Sequence, residues 1–489
     1  MTGAVKNIPP LHLDMLIGGE TLSGSRRLEV RNPAHPEEVV GTIVRGSAED
    51  VGKAVAAAKA AQPAWAALTY GKRAQLLAAM LDRLEKGIDE RAVLFVRENG
   101  KVLADAKGEL AGIATRQRLM LELAEELDSP REMPAPKGRT VVAHRPFGVV
   151  VGIVPWNSPV SLAFSQIVSA LLAGNSIVIK PPETCPLALM KTIEMAAAVL
   201  PAGLVNVVTG LPGEIGDALT THPDVAKIGF TGSVLSARTI MANAARSIKG
   251  ITLELGGNDA AILLEDADLG EAKMESMARA VFRMTGQVCM AIKRIYVPEA
   301  LKDRFVEAFA HVVDRIVVGD GLEPQVTMGP LHSARALERA KGLVADAEQR
   351  GAKVLRLGRI DDQATFEQGY FMRPMIVTEI GDDAPLMTEE QFCPAIPVAT
   401  YRHVDDAIRR ANNSIYGFAG SVWGQDIDRA TQLARQLEAG AVFVNTHGTE
   451  SVNRRAPYGG VKQSGIGRRA GMEGVREYMQ IQTLTTCEA

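Results

Sequence analysis

The chain has 489 residues, with 54 Lys and Arg against 57 Asp and Glu and a formal net charge of -3. Because single hydrophobic cores stop growing at about 250 to 300 residues, this length predicts two or three domains. Charges of both signs are interspersed without long blocks, which argues against nucleic acid and membrane as partners and favours a small-molecule ligand.

The cysteines indicate the compartment. Cys185, Cys289, Cys393 and Cys487 lie far apart, with no CxxC pair and no histidine at metal-ligand spacing. This argues against a disulfide framework and a metal site, so a reducing, cytoplasmic compartment is expected. The first ten residues lack the basic and apolar regions of a signal peptide, and none is expected.

The predicted elements begin with edge strands between residues 13 and 44, followed by a layer of helices over residues 48–61, 70–86 and 88–100. From residue 147 to residue 179 the chain carries no charged side chain. Prolines and asparagines divide this stretch into strand, helix and strand, so it predicts a buried β-α-β unit rather than a membrane span.

The alternation of strands and helices then continues in two series. The first has the pattern of a parallel doubly wound α/β sheet, and the second begins after Gly256 and Gly257, where we place a domain boundary. Two further segments, residues 140–144 and 477–484, are predicted as exposed strands. Unpaired strand edges invite pairing with another chain.

Polar residues follow the strands of the charge-free unit, at the edge where open α/β sheets bind ligands. Asn157, in a turn between two prolines, offers uncharged N–H donors that suit an oxyanion, and a simple Asx turn is the alternative. Glu183, close to Lys180, can accept hydrogen bonds from a ribose and would repel a 2'-phosphate, which favours NAD over NADP. Solvated loop charges are the alternative here.

Glu254 and Cys289 are the candidate reactive groups. Glu254 lies between two leucines, and a carboxylate in apolar surroundings has a raised pKa and can act as a general base. Cys289 follows a flexible Gly286 and an amide-bearing Gln287, and it is the candidate nucleophile. A strand-end ion pair and an inert packed thiol are the alternatives.

Taken in order, these motifs resemble those of the NAD(P)-dependent aldehyde dehydrogenases. The resemblance covers nearly the whole chain, from RNPA at residues 31–34 to PYGGVKQSGIGR at residues 457–468. Between them lie PWNSP (155–159), KPPE (180–183), FTGS (230–233), LELGG (253–257), GQVC (286–289) and EEQFCP (389–394).

The resemblance implies an α/β fold with a Rossmann-type cofactor domain, an α/β catalytic domain carrying the cysteine, and a small β oligomerisation arm. It predicts the NAD-binding domain at residues 1–124 and 147–255 and the catalytic domain at residues 256–445. Residues 125–146 and 446–489 are predicted to form the oligomerisation arm and the C-terminal segment. A homodimer or homotetramer is expected.

The resemblance also implies a mechanism. The Cys289 thiolate attacks an aldehyde, Asn157 and the Cys289 N–H hold the oxyanion, NAD accepts hydride, and Glu254 activates the water that hydrolyses the thioester. The positions that match cofactor contacts in the family are Trp156, Lys180, Glu183, Gly213, Ser233, Leu255, Glu390 and Phe392.

The aldehyde itself is left open by the sequence. The predicted substrate pocket contains Ser158, Val288 and Met290, together with Arg283, which lies six residues before the cysteine. Semialdehyde-using relatives can employ an arginine there to hold a substrate carboxylate, although relatives with neutral substrates have it too.

Four positions depart from the family pattern. Ala237 and Cys393 stand where glycines are usual, Gln166 stands for a common lysine, and Arg469 stands for a common acid. In the family that lysine and acid can pair close to the water path for deacylation, so we expect Glu254 to work without that relay.

Three alternatives to NAD-dependent aldehyde oxidation remain open at the level of the sequence. A CoA-acylating dehydrogenase would typically lack the base at Glu254. A cofactor-free cysteine hydrolase would need a histidine partner, for which His447 is the candidate. An inactive binding protein of the same fold would be expected to lack one of Cys289, Asn157 and Glu254, and all three are present.

Overall fold

The computed structural model describes residues 8–127 and 130–487. The strands up to residue 254 are β1 (Leu11–Leu13), β2 (Met15–Ile17), β3 (Glu20–Leu22), β4 (Arg27–Arg31), β5 (Val39–Val44), β6 (Arg131–Ala135), β7 (Gly138–Pro146), β8 (Val149–Ile153), β9 (Ser176–Lys180), β10 (Val205–Val207), β11 (Val225–Thr231) and β12 (Gly250–Glu254). The helices of this part are α1 (Ala48–Ala66), α2 (Tyr70–Leu84), α3 (Ile88–Asn99), α4 (Leu103–Leu121), α5 (Ala124–Leu127), α6 (Pro159–Leu172), α7 (Leu187–Ala197), α8 (Pro212–Thr221) and α9 (Val234–Ala245).

The second part of the chain repeats the alternation. Its strands are β13 (Asp259–Leu263), β14 (Ile292–Pro298), β15 (Val317–Val318), β16 (Lys353–Arg356), β17 (Arg359–Ile360), β18 (Met375–Thr378), β19 (Ala395–Tyr401), β20 (Tyr416–Gly417), β21 (Ala419–Trp423), β22 (Ala441–Val444), β23 (Val461–Lys462), β24 (Gly465–Ile466) and β25 (Met479–Cys487). Its helices are α10 (Glu271–Phe282), α11 (Lys302–Val313), α12 (Ala334–Gln349), α13 (Gln363–Gln368), α14 (Pro385–Thr388), α15 (Val404–Asn412), α16 (Ile427–Ala434) and α17 (Gly471–Arg476).

The first large sheet has eight strands in the order β24-β12-β11-β8-β9-β10-β2-β3. The five central strands, β12 to β10 in that order, are parallel, whereas β24, β2 and β3 are antiparallel to their neighbours. The charge-free stretch forms β8, α6 and β9, which confirms the predicted buried β-α-β unit. Because the five central strands are parallel, their carboxyl ends lie along one edge of the sheet.

The second large sheet has seven strands in the order β16-β18-β19-β14-β13-β21-β22, and only β16 runs antiparallel to its neighbour. The chain passes from the first sheet to the second between Glu254 and Asp259. This crossing contains Gly256 and Gly257, and the carbonyl of Cys289 lies 2.7 Å from where a Cβ on Gly257 would stand. The domain ranges given above stay a prediction.

A separate three-stranded sheet, β25-β7-β6, corresponds to the predicted arm. The prediction that residues 140–144 form an unpaired edge was wrong, because β7 lies between β6 and β25 and pairs with both. β25 therefore has the outer position, and it exposes 72% of Ile481 and 60% of Leu484. None of the helices within the described residues is long and apolar enough to cross a membrane.

Candidate active site

Cys289 lies in a loop between α10 and β14 whose backbone is unusual. Met284, Thr285 and Gly286 have φ angles of 52°, 62° and 73°, so three consecutive residues adopt left-handed conformations. Such conformations cost of order 1 to 3 kcal/mol for a non-glycine residue and concentrate at functional sites. The buried Thr285 hydroxyl donates to the carbonyl of Gly329 at 2.9 Å, which helps to hold the turn.

Lys293 fixes the other side of this loop. Its buried ammonium donates to the carbonyls of Val288 and Cys289, both at 2.8 Å. With these carbonyls turned toward Lys293, the Cys289 N–H has no hydrogen-bond acceptor within the described residues. Lys293 was not among the predicted site residues, although two consecutive charged residues, Lys293 and Arg294, in the buried β14 were a usable signal.

The Cys289 side chain is half-buried. Burial raises the pKa of its thiol to about 12, and nearby Glu390 and Glu254 act in the same direction while Lys293 acts against them. At neutral pH the cysteine is therefore a thiol, and it needs a base to become a nucleophile.

Asn157 follows β8 and is buried. Its Oδ1 accepts the N–H of Ser158 at 3.0 Å, and its Nδ2 donates to the carbonyl of Gln287 at 2.9 Å, two residues before the cysteine. The carbonyl of Asn157 accepts from Lys101 Nζ at 3.0 Å. These contacts fix the amide beside the cysteine loop and leave one Nδ2 hydrogen for a ligand.

Glu254 ends β12 with 3% of its surface exposed, and its Oε1 has no hydrogen-bond partner within the described residues. Burial raises the pKa of this carboxyl to about 7, whereas the positive charges of Arg469 and Arg468 lower it. A carboxyl with a pKa near neutrality can both take up and release a proton at physiological pH, as a general base requires.

One cavity of about 390 Å³ collects the predicted residues. This volume falls within the range of about 300 to 1,000 Å³ that is typical of small-molecule sites. Its lining includes all three predicted catalytic residues and all four predicted substrate residues: Cys289, Glu254, Asn157, Ser158, Arg283, Val288 and Met290. The lining also includes two arginines that the sequence analysis missed, Arg116 and Arg454.

The predicted cofactor residues lie along the carboxyl edge of the first sheet. Each follows or ends one of the five parallel strands: Trp156 after β8, Lys180 and Glu183 at the end of β9, Gly213 after β10, Ser233 after β11 and Leu255 after β12. This is the edge at which open α/β sheets bind dinucleotides.

The remaining two predicted cofactor residues come from the loop before β19. Glu390 Oε1 accepts the N–H of Gly257 at 3.0 Å. The ring of Phe392 packs edge-on against Trp156, with 5.9 Å between the ring centres. The loop thus brings both residues across to the end of the first sheet.

The edge of the sheet fits a dinucleotide. Ser233 caps α9, whose first turn has no acidic residue, so its N–H groups suit a diphosphate. A Cβ built on Gly213 meets nothing within 4 Å, so the space beside α8 is open. Lys180 donates to Glu183 Oε2 at 3.1 Å, which holds that carboxylate at the strand end.

Two further residues at this edge were missed. His332 stacks on Trp156, with 4.1 Å between ring centres and 6° between planes, and no motif in the sequence marks the contact. Burial lowers the pKa of His332 to about 4, so the ring is neutral. Ser464 bonds Gly256, in the crossing between the two large sheets, and Gly417 of β20, and its only signal was membership of the long PYGGVKQSGIGR segment.

The four departures from the family pattern are all buried, and Arg469 is the one whose charge acts on Glu254. Arg469 is buried and donates through Nη2 to Thr231 Oγ1 at 2.6 Å. Both amide atoms of the buried Gln166 lack hydrogen-bond partners within the described residues. Ala237 and Cys393 are packed in apolar surroundings. His447 is buried and bonds Ser421 Oγ at 2.9 Å, so it does not partner Cys289.

A parallel sheet edge that fits a dinucleotide, together with a cavity that contains a cysteine, an amide donor and a buried carboxyl, is the arrangement of a cofactor-dependent oxidoreductase. Residues 21–484 match the model of the aldehyde dehydrogenase family. The chain belongs to this family and is an oxidoreductase that converts aldehydes to carboxylic acids with NAD(P).

Three relatives illustrate the similarity. The chain is 36% identical over 472 residues to succinate-semialdehyde dehydrogenase (NADP(+)) GabD of Escherichia coli (strain K12), covering 96% of both proteins. It is 36% identical over 460 residues to glutarate-semialdehyde dehydrogenase of Pseudomonas aeruginosa, covering 94% of this chain and 93% of that protein. A solved structure of betaine aldehyde dehydrogenase from Staphylococcus aureus in complex with NAD+ has a TM-score of 0.91 at 31% identity, covering 96% of this chain and 94% of the other.

Proposed function

We propose that the protein oxidises a carboxylate-bearing aldehyde with NAD, using Cys289 as nucleophile, Asn157 as oxyanion donor and Glu254 as base. The observation that carries this proposal is the convergence of all three residues on one cavity. The names of the semialdehyde-oxidising relatives support the substrate class.

The first step is activation of the cysteine. Because the pKa of Cys289 is about 12 and that of Glu254 about 7, a thiolate forms only when the proton passes to a base. Glu254 lines the same cavity and takes this role. Lys293, which is held against the Cys289 carbonyl, favours the charged thiolate.

The thiolate sulfur then adds to the aldehyde carbon, and the carbonyl oxygen becomes an oxyanion. The free Nδ2 hydrogen of Asn157 and the unbonded N–H of Cys289 donate to this oxygen. An aldehyde has no leaving group, so collapse of the thiohemiacetal expels the aldehyde hydrogen with its electron pair. Bound NAD(P) supplies the hydride acceptor for this step.

Hydrolysis of the thioester returns the enzyme to its starting state. Glu254 first releases the Cys289 proton to solvent, and the carboxylate then removes a proton from a water molecule as the water oxygen attacks the acyl carbon. The carbon-sulfur bond breaks, the carboxylic acid is released, and Cys289 regains a proton. Burial suits Glu254 to this work, since it keeps the carboxyl pKa close to the operating pH.

A preference for NAD over NADP is part of the proposal. The preference is inferred from Glu183, which follows β9 at a position that contacts the cofactor in the family, since a carboxylate beside the adenosine ribose would repel a 2'-phosphate. The relatives include an NADP-named enzyme and an NAD+ complex, so they support either cofactor. The Lys180 ion pair, which holds Glu183 in place, supports NAD.

Cytoplasmic location and a homodimer or homotetramer complete the proposal. All four cysteines are free. The outer edge of β25 offers exposed apolar side chains and unpaired backbone groups, which support assembly through the arm. We expect Ile481→Glu to lower the mass measured by sedimentation velocity, and an unchanged mass would remove this edge from the interface.

The decisive experiment measures NADH formation with an aldehyde panel, with and without CoA. Cys289→Ala should abolish turnover, and Cys393→Ala is the matched control because that thiol is buried outside the cavity. A requirement for CoA would indicate the acylating class instead. Tight binding of cofactor or aldehyde without turnover would indicate an inactive binding protein.

A further inference from the structure

The charged residues on the cavity wall are not equivalent. Three of its carboxylates already have partners: Asp105 and Glu450 both bind Arg283, and Glu109 binds Lys101 at 2.6 Å. Paired charges in a wall are poor binding groups for a further ion, because the ligand must compete with the existing partner. The candidate binding groups for an anionic ligand are therefore the cavity cations that lack a carboxylate partner.

Arg283 is engaged by carboxylates on two sides. Its Nε donates to Asp105 Oδ1 at 2.9 Å, and its Nη1 donates to Glu450 Oε1 at 3.0 Å. With one guanidinium against two carboxylates, this group of three carries a net negative charge. The contacts tie α4 to the loop that carries Glu450, so they fit a role in positioning that loop better than a role in holding an anion.

Arg116 and Arg454 have no carboxylate partner within residues 8–127 and 130–487. Arg116 Nη2 donates to the carbonyl of Glu109 at 2.8 Å, and its buried Nε has no acceptor. Arg454 Nη2 donates to the carbonyl of Thr449 at 3.0 Å, and its guanidinium lies over the ring of Tyr458 at 5.5 Å. Neither guanidinium at the cavity wall is therefore paired with a counter-ion in the described part of the chain.

The two guanidinium groups influence each other. Burial, together with the charge of Arg454, lowers the pKa of Arg116. The Arg116 guanidinium folds back over Gly112, where any Cβ would collide with it. Holding two cations close together away from solvent costs free energy. An anion bound between them offsets this cost and can accept bidentate hydrogen bonds from the guanidinium groups.

The rest of the wall suits the body of such a substrate. Apolar side chains line the same cavity as the two arginines and the reacting cysteine, among them Leu162, Met284, Phe418 and Val452. A short aliphatic chain with an aldehyde at one end and a carboxylate at the other matches this distribution of polar and apolar groups.

We propose that Arg116 and Arg454 bind the remote carboxylate of the aldehyde substrate, and that Arg283 instead positions the loop carrying Glu450. This inference rests on the proposed function. It assigns carboxylate selectivity to two residues that no sequence motif marks, and it removes that task from the arginine six residues before the cysteine.

The test compares kcat/KM for succinate semialdehyde and for butanal, its neutral analogue of the same length. Arg116→Gln and Arg454→Gln should each lose about 10- to 100-fold on the semialdehyde, mainly through KM, because a hydrogen bond to a charged group is worth about 1.5 to 3 kcal/mol. Each should change the value for butanal less than about 2-fold. Arg283→Gln should lower both values by the same factor.

The chain offers a matched control for each arginine. Arg118 lies on the same helix as Arg116 and pairs with Asp82, and Arg455 follows Arg454 and pairs with Glu122. Both are exposed. Arg118→Gln and Arg455→Gln should leave both substrates unaffected.

A second measurement does not depend on turnover. Succinate should protect Cys289 of the wild type from iodoacetamide, with the label located by peptide mass, whereas butan-1-ol, a neutral molecule of the same length, should not. Protection should be lost in Arg116→Gln and retained in Arg116→Lys, which keeps the charge. Because Arg116→Lys keeps the charge, its labelling still tests the assignment if Arg116→Gln folds poorly.

The outcomes separate the two proposals. Equal losses on both substrates in Arg116→Gln and Arg454→Gln, or a semialdehyde-selective loss in Arg283→Gln, would each overturn the assignment while the proposed function stands. A wild type that prefers butanal would contradict the carboxylate-bearing substrate of the proposed function. If the wild type forms no NADH with any aldehyde, the proposed function itself fails.

Discussion

Replacing Glu254 by Gln tests the proposed base through folding stability as well as activity. The carboxyl is buried, its Oε1 has no partner within the described residues, and its pKa rises from 4.5 to about 7. Between these two pH values the folded chain holds a proton that the unfolded chain has lost. The free energy of unfolding therefore falls as pH rises through this window, and the ionised carboxylate destabilises the fold above it.

The size of this effect follows from the shift. About 2.5 pKa units at 1.36 kcal/mol each correspond to about 3 kcal/mol. Glutamine does not titrate, so the stability of Glu254→Gln relative to wild type should grow by about this amount between pH 4.5 and pH 8. For an unfolding entropy of about 1 kcal/mol/K in a chain of this length, the relative Tm should rise by about 3 °C.

Differential scanning calorimetry of both proteins across this pH range measures the effect. Glu338→Gln is the matched control, because that side chain is 72% exposed and its relative Tm should not vary with pH. If the Tm difference between Glu254→Gln and wild type does not change with pH, no carboxyl titrates at position 254 in this range. In the same variant kcat should fall about 10²- to 10⁴-fold, and the acid limb near pH 7 should disappear from the rate profile.

Three further predictions concern single residues. Cys289→Ala should form no NADH, whereas Cys393→Ala should keep activity within about 2-fold of wild type. Glu183→Gln should raise kcat/KM with NADP relative to NAD by about 10-fold, since a charge that repels the 2'-phosphate is removed; an unchanged ratio would mean that other groups set the preference. Arg469→Gln should move the acid limb of the rate profile to higher pH, because the Arg469 charge lowers the pKa of Glu254; a limb that moves to lower pH would contradict this.

Much of the fold follows from local pattern. The charge-free stretch predicts β8, α6 and β9 because strands covered on both faces are apolar throughout and because its prolines and asparagines mark the turns. Strand partners are harder to predict. β7 and β25 have the composition of exposed strands, yet they pair with each other across more than 300 residues of sequence, a contact that no local pattern contains.

The active-site residues likewise divide into those that a local motif marks and those that depend on contacts distant in sequence. Cys289, Asn157 and Glu254 stand in recognisable motifs, and the parallel sheet brings the last two to one edge. Arg116 and Lys293 stand in no motif, and their importance comes from what surrounds them. Lys293 holds two carbonyls of the cysteine loop, and Arg116 reaches the cavity because it can fold over a glycine four residues earlier on its helix.

The glycine-rich segment 457–468 is long and distinctive, but no residue in it has an obvious chemical role. The buried Ser464 explains its importance, since its hydroxyl donates to the Gly256 carbonyl at 2.7 Å and accepts the Gly417 N–H at 2.9 Å. The Ser464 carbonyl accepts the N–H of Leu255 at 2.9 Å. One residue thus bonds the end of the first sheet, the crossing, and β20, which directly precedes β21 of the second sheet. Because Glu254 directly precedes Leu255, the same contacts fix where the proposed base stands relative to a cysteine carried by the other sheet.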